Sequence, residues 1–309
     1  MQEQNRNMSL YFDIKRYSIN DGPGIRITIF MKGCPLSCVW CHNPEGISAR
    51  KQKMYTKKKC IGCGNCVSVC SESALSLGVA GVVGDNVLCS LCGKCVEVCP
   101  TSAMEMSGIE YSVDYLIHEI EKETIFMDSS EGGVTFCGGE PLIYPEVLME
   151  LLSRCGEIDV HRVVDTTLFA RPEIVKDVMR KTDLFLVDLK HIDSSKHKSF
   201  CGVPNELILS NLQMIAEAGA DFIIRIPVIV GFNADMDNII NSAKFLSSLP
   251  WERKVVNLLP YHEIAAGKHE KMGTVYNPNK IPMASPSSET QQQCIKIFEN
   301  YGLIATIGG

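Results

Sequence analysis

Eleven cysteines crowded between residues 34 and 99 constrain this chain more than any other feature. They form three tight groups: Cys34, Cys38 and Cys41; Cys60, Cys63, Cys66 and Cys70; Cys89, Cys92, Cys95 and Cys99. Gaps of two and three residues suit a shared metal group better than bridges across a fold. A chain of 309 residues with a polar Met1–Ser9 reads as a reducing-compartment protein rather than a small disulfide-stapled secreted domain. The expectation is a cytoplasmic metalloprotein.

The second and third groups repeat one spacing, C-x2-C-x2-C-x3-C, and Pro100 follows the last cysteine. This is the bacterial two-cluster ferredoxin run, in which the fourth cysteine of each group ligates the other cluster. One cluster is therefore assigned to Cys60, Cys63, Cys66 and Cys99, and the other to Cys89, Cys92, Cys95 and Cys70. A pair of structural zinc sites is the rival reading, since C-x2-C pairs also build zinc ribbons. Ser71 stands where the first run would usually carry a proline. The first group, C-x3-C-x2-C in GCPLSCVWCHNPE, offers three thiolates. Three thiolates can hold three corners of a cubane and leave the fourth iron open to a substrate or cofactor; a zinc or purely structural loop is the alternative.

Around the cysteines the pattern is α/β. Apolar runs at Ile25–Phe30, Gly133–Cys137, His161–Asp165, Leu184–Leu189, Phe222–Val230 and Val255–Pro260 read as six strands, with Leu303–Ile307 a possible seventh. Helices are expected over Pro145–Cys155, Arg171–Lys181, Glu206–Ala218, Asp235–Leu249 and Ser287–Tyr301. Continuous apolar strands alternating with helices indicate a parallel sheet buried on both faces. A partial (β/α)6 TIM-like barrel fits, and a doubly wound sheet would show the same alternation; either places chemistry at the C-terminal strand ends. Residues 54–106, rich in Cys and Gly, break the alternation as an inserted ferredoxin-like domain, between barrel portions 1–53 and 107–309. A net charge of −6 argues against a nucleic-acid partner. The longest apolar stretch, Phe222–Phe232, is too short to span a membrane and contains Arg225.

The cysteine loop, with Trp40 before its third cysteine, carries the radical S-adenosylmethionine signature. Asp21-Gly22-Pro23-Gly24-Ile25-Arg26, Gly138-Gly139-Glu140-Pro141, Asp188-Leu189-Lys190 and Leu259-Pro260-Tyr261-His262 follow in order. Together they resemble the glycyl radical enzyme activating enzymes, in the branch with a two-cluster insert; the pyruvate formate-lyase activator lacks that insert. The resemblance implies three [4Fe–4S] clusters, S-adenosylmethionine, and one-electron cleavage of its S–C5′ bond. The 5′-deoxyadenosyl radical would then take a Cα hydrogen from a glycine of a partner enzyme. It also implies a flavodoxin- or ferredoxin-type electron donor, a monomeric chain and an anaerobic setting.

Roles follow from the same resemblance. Cys34, Cys38, Cys41 and Lys190 are the catalytic set. Trp40, Gly138, Gly139, Glu140, Asp165, Asp188, Lys190, Arg225 and His262 are the cofactor-binding set. Glu140 would accept from the methionine ammonium, and Arg225 would face the carboxylate, for which its planar fork is suited. Asp165, Thr166 and Asp188 would hold a monovalent cation, while Asp21, Gly22 and Arg26 would receive the partner's glycine loop. Cys137 replaces the Ser usual in related chains and reads as a small buried thiol. The other isolated cysteines read as core or surface residues, and every histidine except His262 is left without a role. Two other functions were weighed: a radical S-adenosylmethionine enzyme whose auxiliary clusters serve another peptide or small-molecule reaction, and a non-enzymatic electron carrier.

Overall fold

The computed structural model describes residues 9–79 and 81–308. Its main sheet has nine strands in the order β13-β12-β11-β10-β9-β8-β2-β1-β7. The parallel part is β2 (Arg26–Met31), β8 (Gly133–Gly138), β9 (His161–Thr166), β10 (Leu184–Asp188), β11 (Phe222–Val228), β12 (Val255–Pro260) and β13 (Ile304–Ile307). Each strand pairs with its successor in this series, and the order never reverses. A doubly wound sheet requires such a reversal. The sheet is therefore that of an incomplete (β/α)6 barrel, with β13 as a seventh parallel strand.

Helices Pro145–Glu157, Pro172–Met179, Glu206–Glu217, Met236–Ser248 and Ser288–Asn300 fall within two residues of their expected bounds. They enclose a core that includes Ile27, Phe136, Val187, Phe222 and Phe298. The sequence reading missed β1 (Leu10–Ser18), which pairs antiparallel with β2, and the two-residue β7 (Ile109–Glu110) beyond it. The run LYFDIKRYS of β1 buries little but Tyr11 and Ser18, so charges interrupt its apolar signal. Helices Val113–Glu121, Thr124–Ser130, Ser194–Cys201 and Ala265–Met272 were also not anticipated.

The cysteine-rich segment has its own small frame. β3 (Gln52–Tyr55) pairs antiparallel with β6 (Met104–Ser107), and β4 (Leu75–Gly78) with β5 (Gly81–Gly84). Four-residue helices Asn65–Ser68 and Lys94–Glu97 each follow a glycine at positive φ, Gly64 at 75° and Gly93 at 84°. The repeated spacing is thus a repeated local structure. Lys32, the residue after β2, ties the β3–β6 ribbon to the barrel by donating to Gln52 Oε1 at 2.9 Å and Ser107 Oγ at 3.1 Å. Among the described residues no helix is long and apolar enough to cross a membrane.

Candidate active site

The C-terminal strand ends of the barrel open into a cavity of about 260 Å³. One wall is the loop after β2. Backbone bonds on both sides hold it: Cys34 N donates to Ile47 O at 2.9 Å, Ser37 N to Cys201 O at 2.8 Å and Val39 N to Phe200 O at 3.1 Å. Cys34, Cys38, Cys41 and Trp40 all line the cavity, and the Trp40 ring packs on Phe232 with centroids 4.4 Å apart. Burial pushes the Cys41 thiol up to about 12 and the Cys34 thiol upward as well. Loading with iron would therefore displace protons from thiols that ionise poorly on their own.

The same cavity is lined by four charged residues, Asp165, Asp188, Lys190 and Arg225. Arg225 Nη1 donates to Asp165 Oδ2 at 2.8 Å, and Lys190 Nζ donates to Asp188 Oδ2 at 2.8 Å. Burial works against charge on Lys190, but Asp188 outweighs it and holds the ammonium. Asp188 is itself held low by Lys190 and Arg225 in spite of burial. Asp165 goes the other way, pushed up to about 7 by burial against the pull of Arg225. The Arg225 Nε is buried without a partner. A fixed cation with a free donor is what an incoming carboxylate needs.

Gly138 and Gly139 also line the cavity, and their geometry excludes a side chain. Gly138 sits at φ +124°, and a Cβ there would lie 2.3 Å from Met31 N and O. A Cβ on Gly139 would come 2.0 Å from Gly33 O. The strand end and the cysteine loop can touch only because both positions are glycine. Cys137 lines the cavity on the Asp21, Asp165 and Arg225 side, and burial pushes its thiol well up.

Four sequence expectations require correction. Glu140 does not face the cavity: Oε1 accepts from Thr166 Oγ1 at 2.6 Å, and Oε2 accepts from Thr167 N at 2.8 Å and Thr167 Oγ1 at 2.5 Å. Its carboxylate is spent on seating Thr166 and Thr167, which do line the cavity. His262 is exposed, because Tyr261 before it points inward and successive residues of extended chain face opposite ways. Arg26 is only 1% exposed and donates to Thr135 Oγ1, Pro23 O, Val134 O and His161 O at 2.7–3.1 Å, beyond any partner's reach. Gly22 packs under that side chain and is absent from the cavity wall. Asp21 does reach the cavity, accepting from Thr28 Oγ1 at 2.8 Å.

Arg26 thus acts as an internal strut. Arg26→Met should lower stability by roughly 3 kcal/mol, because buried acceptors lose their donors. The thermal midpoint of the anaerobic protein should fall, while the folded fraction keeps its affinity for the partner. An unchanged midpoint with weakened partner binding would return Arg26 to the interface.

Missed residues are His42 and Tyr261. His42 lines the cavity, and its Nε2 lies 3.1 Å from His262 O. Its place directly after Cys41 was the available signal.

The eight cysteines of the inserted segment sort into two further cavities. One is lined by Cys60, Cys63, Cys66 and Cys99, and the other by Cys70, Cys89, Cys92 and Cys95. Among the described residues no three His, Cys, Asp or Glu side chains close on a point as a single ion requires. The thiols border two small separate cavities.

Residues 89–243 match the radical SAM superfamily, residues 59–103 a 4Fe-4S dicluster domain, and residues 20–77 a 4Fe-4S single cluster domain. The trans-4-hydroxy-L-proline dehydratase activating enzyme of Clostridioides difficile is 40% identical over 302 residues, covering 97% of this chain and 99% of that one. The chain belongs to the glycyl radical enzyme activating enzymes. Other members of this family align as fully. The choline trimethylamine-lyase activating enzyme of Oleidesulfovibrio alaskensis is 37% identical over 94% of this chain and 96% of its own. The benzylsuccinate synthase activating enzyme of Thauera aromatica is 38% identical over 97% and 92%. A solved domain of a pyruvate-formate lyase-activating enzyme from Bacteroides vulgatus shares 53% identity, covering 58% of this chain and 99% of that one at a TM-score of 0.50. Streptococcus suis SuiB, at 14% identity, covers 89% of this chain and 46% of its own with a TM-score of 0.52, and shares the fold alone. As an activating enzyme of the radical SAM superfamily, the chain is an iron–sulfur oxidoreductase that cleaves S-adenosylmethionine reductively to generate a radical on a partner glycyl radical enzyme.

Proposed function

We propose that this activating enzyme carries three [4Fe–4S] clusters, two in an inserted domain over residues 54–106 and one on Cys34, Cys38 and Cys41 in the barrel formed by 1–53 and 107–309. The observation that carries the reading is the 260 Å³ cavity lined both by three thiols and by Asp165, Asp188, Lys190 and Arg225. A cluster held there would supply the one-electron chemistry for reductive cleavage of S-adenosylmethionine and hence for activation of the partner's glycine.

The chain's own residues hold the parts in register. Cys34, Cys38 and Cys41 would hold the barrel cluster, and a set of only three thiolates would keep it open to S-adenosylmethionine. Arg225, through its free Nε, and Lys190 orient the carboxylate. Gly138 and Gly139 admit the ligand close to backbone, and Trp40 closes the space behind the loop. Asp165, Asp188 and the Thr166 hydroxyl form an oxygen set suited to a monovalent cation. Glu140 is a positioning residue that acts through Thr166 and Thr167. Asp21 is left as the part of the Asp21–Arg26 stretch able to meet the partner's glycine loop. A flavodoxin- or ferredoxin-type protein supplies electrons to a monomeric chain, in an anaerobic cytoplasm.

The test is to incubate anaerobically reconstituted enzyme with S-adenosylmethionine, a reductant and candidate glycyl radical enzymes. The cognate partner should develop a glycyl signal in electron paramagnetic resonance, with one 5′-deoxyadenosine and one methionine per radical. Turnover of a small molecule with no partner radical would remove this reading.

A further inference from the structure

Strand β3 presents Lys53 and Tyr55 to the same face, two positions apart, and the two residues reach different cysteine cavities. Tyr55 and its cross-strand partner Met104 line the cavity of Cys60, Cys63, Cys66 and Cys99; Lys53 and its partner Met106 line that of Cys70, Cys89, Cys92 and Cys95. The Tyr55 hydroxyl accepts from Val82 N at 3.0 Å, which leaves its own proton for the neighbouring Cys60. The Lys53 Nζ is buried and has no hydrogen-bond partner. A buried ammonium with nothing to donate to is costly, and Lys53 lines the cysteine cavity together with Glu72 and Lys94.

The ribbon also orders the two cavities. Its Gln52–Ser107 end is bound to Lys32, two residues before Cys34. Lys53 is one step from that end and Tyr55 three steps, so the Lys53 cavity lies on the barrel side. Each cavity includes one exposed cysteine, Cys63 in the outer and Cys92 in the inner.

We infer that Lys53 is a positioning residue for electron transfer, whose ammonium faces the sulfurs of the barrel-side insert cluster and raises its reduction potential above that of the outer cluster. Net charge and hydrogen bonds to sulfur set the potentials of such clusters. The outer cluster has a neutral phenol where the inner one has a full positive charge. An electron delivered to the insert by a low-potential one-electron donor protein therefore settles on the inner cluster: the inner is reduced as the outer is oxidised, and no proton moves. The inference rests on the two-cluster reading of the insert.

The test is a redox titration, followed by electron paramagnetic resonance, of the anaerobically reconstituted full-length protein. Lys53→Met should leave iron and sulfide content unchanged and make reduction of one insert cluster about tenfold less favourable, a shift of about 59 mV for a one-electron couple. Lys53→Arg should restore the parental value, and Tyr55→Phe should move the other insert cluster instead. Full iron content with an unmoved potential in Lys53→Met overturns the inference. Should that variant lose iron, Lys53→Gln is titrated in its place, and a parental potential there is equally decisive. A parental protein with no iron beyond the barrel cluster would sink the two-cluster reading itself.

Discussion

Cys38→Ala should abolish 5′-deoxyadenosine formation while the protein stays folded and keeps its two insert clusters. The loop around residue 38 does not depend on the thiol for its path: Ser37 N and Val39 N are bound to Cys201 O and Phe200 O, one residue on either side. Alanine at 38 keeps these bonds and removes one of three corners of the cluster site. Two thiolates cannot hold a cubane that already leaves one iron unligated by protein, so the remaining irons should be lost. Iron should fall from about twelve to about eight per chain, with no cofactor cleavage under any reductant. A variant with parental cleavage would refute the site.

The barrel was legible because its strands are buried on both faces and its helices on one. Phe222–Val228, bounded by Gly219 before it and Gly231 after it, left little room for another reading. Strand β1 was not legible, since its burial comes from pairing with β2 at a sheet edge and not from its own periodicity. The cysteine sets were legible because ligand spacing is a local property, and the crossing of Cys70 and Cys99 between cavities follows from the repeat. Direction of side chains was the information the motifs lacked. Glu140 sits at a strand end like Asp165, yet its carboxylate turns to two threonines 26 and 27 residues onward. Arg26 lies within the run Ile25–Phe30 that reads as a strand, yet its motif assigned it to the partner's glycine loop; β2 begins at that residue and carries its side chain under the sheet. Lys53 and Tyr55 gave no signal at all, because their meaning comes from a ribbon closed by residues 104–107.

Replacing Cys63 and Cys92 together by alanine should separate two activities that are joined in the native chain. Each substitution removes one ligand from one insert cavity. The β3–β6 ribbon does not depend on either cysteine, since four residue pairs and the Lys32 contacts close it. The barrel cavity should therefore keep its shape, and a small artificial reductant, which needs no docking surface or relay, should still drive most of the S-adenosylmethionine cleavage. The flavodoxin- or ferredoxin-type donor proposed above would depend on the relay, whose two cavities each expose one cysteine, Cys63 and Cys92. Cleavage with that donor should drop by a factor of about ten or more, on the scale of losing the supporting shell of a metal site. The measurement is the ratio of 5′-deoxyadenosine rates with the two reductants, which cancels any common loss of folded protein. Equal ratios in parent and variant would mean that electrons enter the barrel directly and that the insert serves another purpose. A collapse of the ratio would make the insert an obligatory path, and Lys53 would then stand at its inner half as the charge that draws the electron onto the barrel-side cluster.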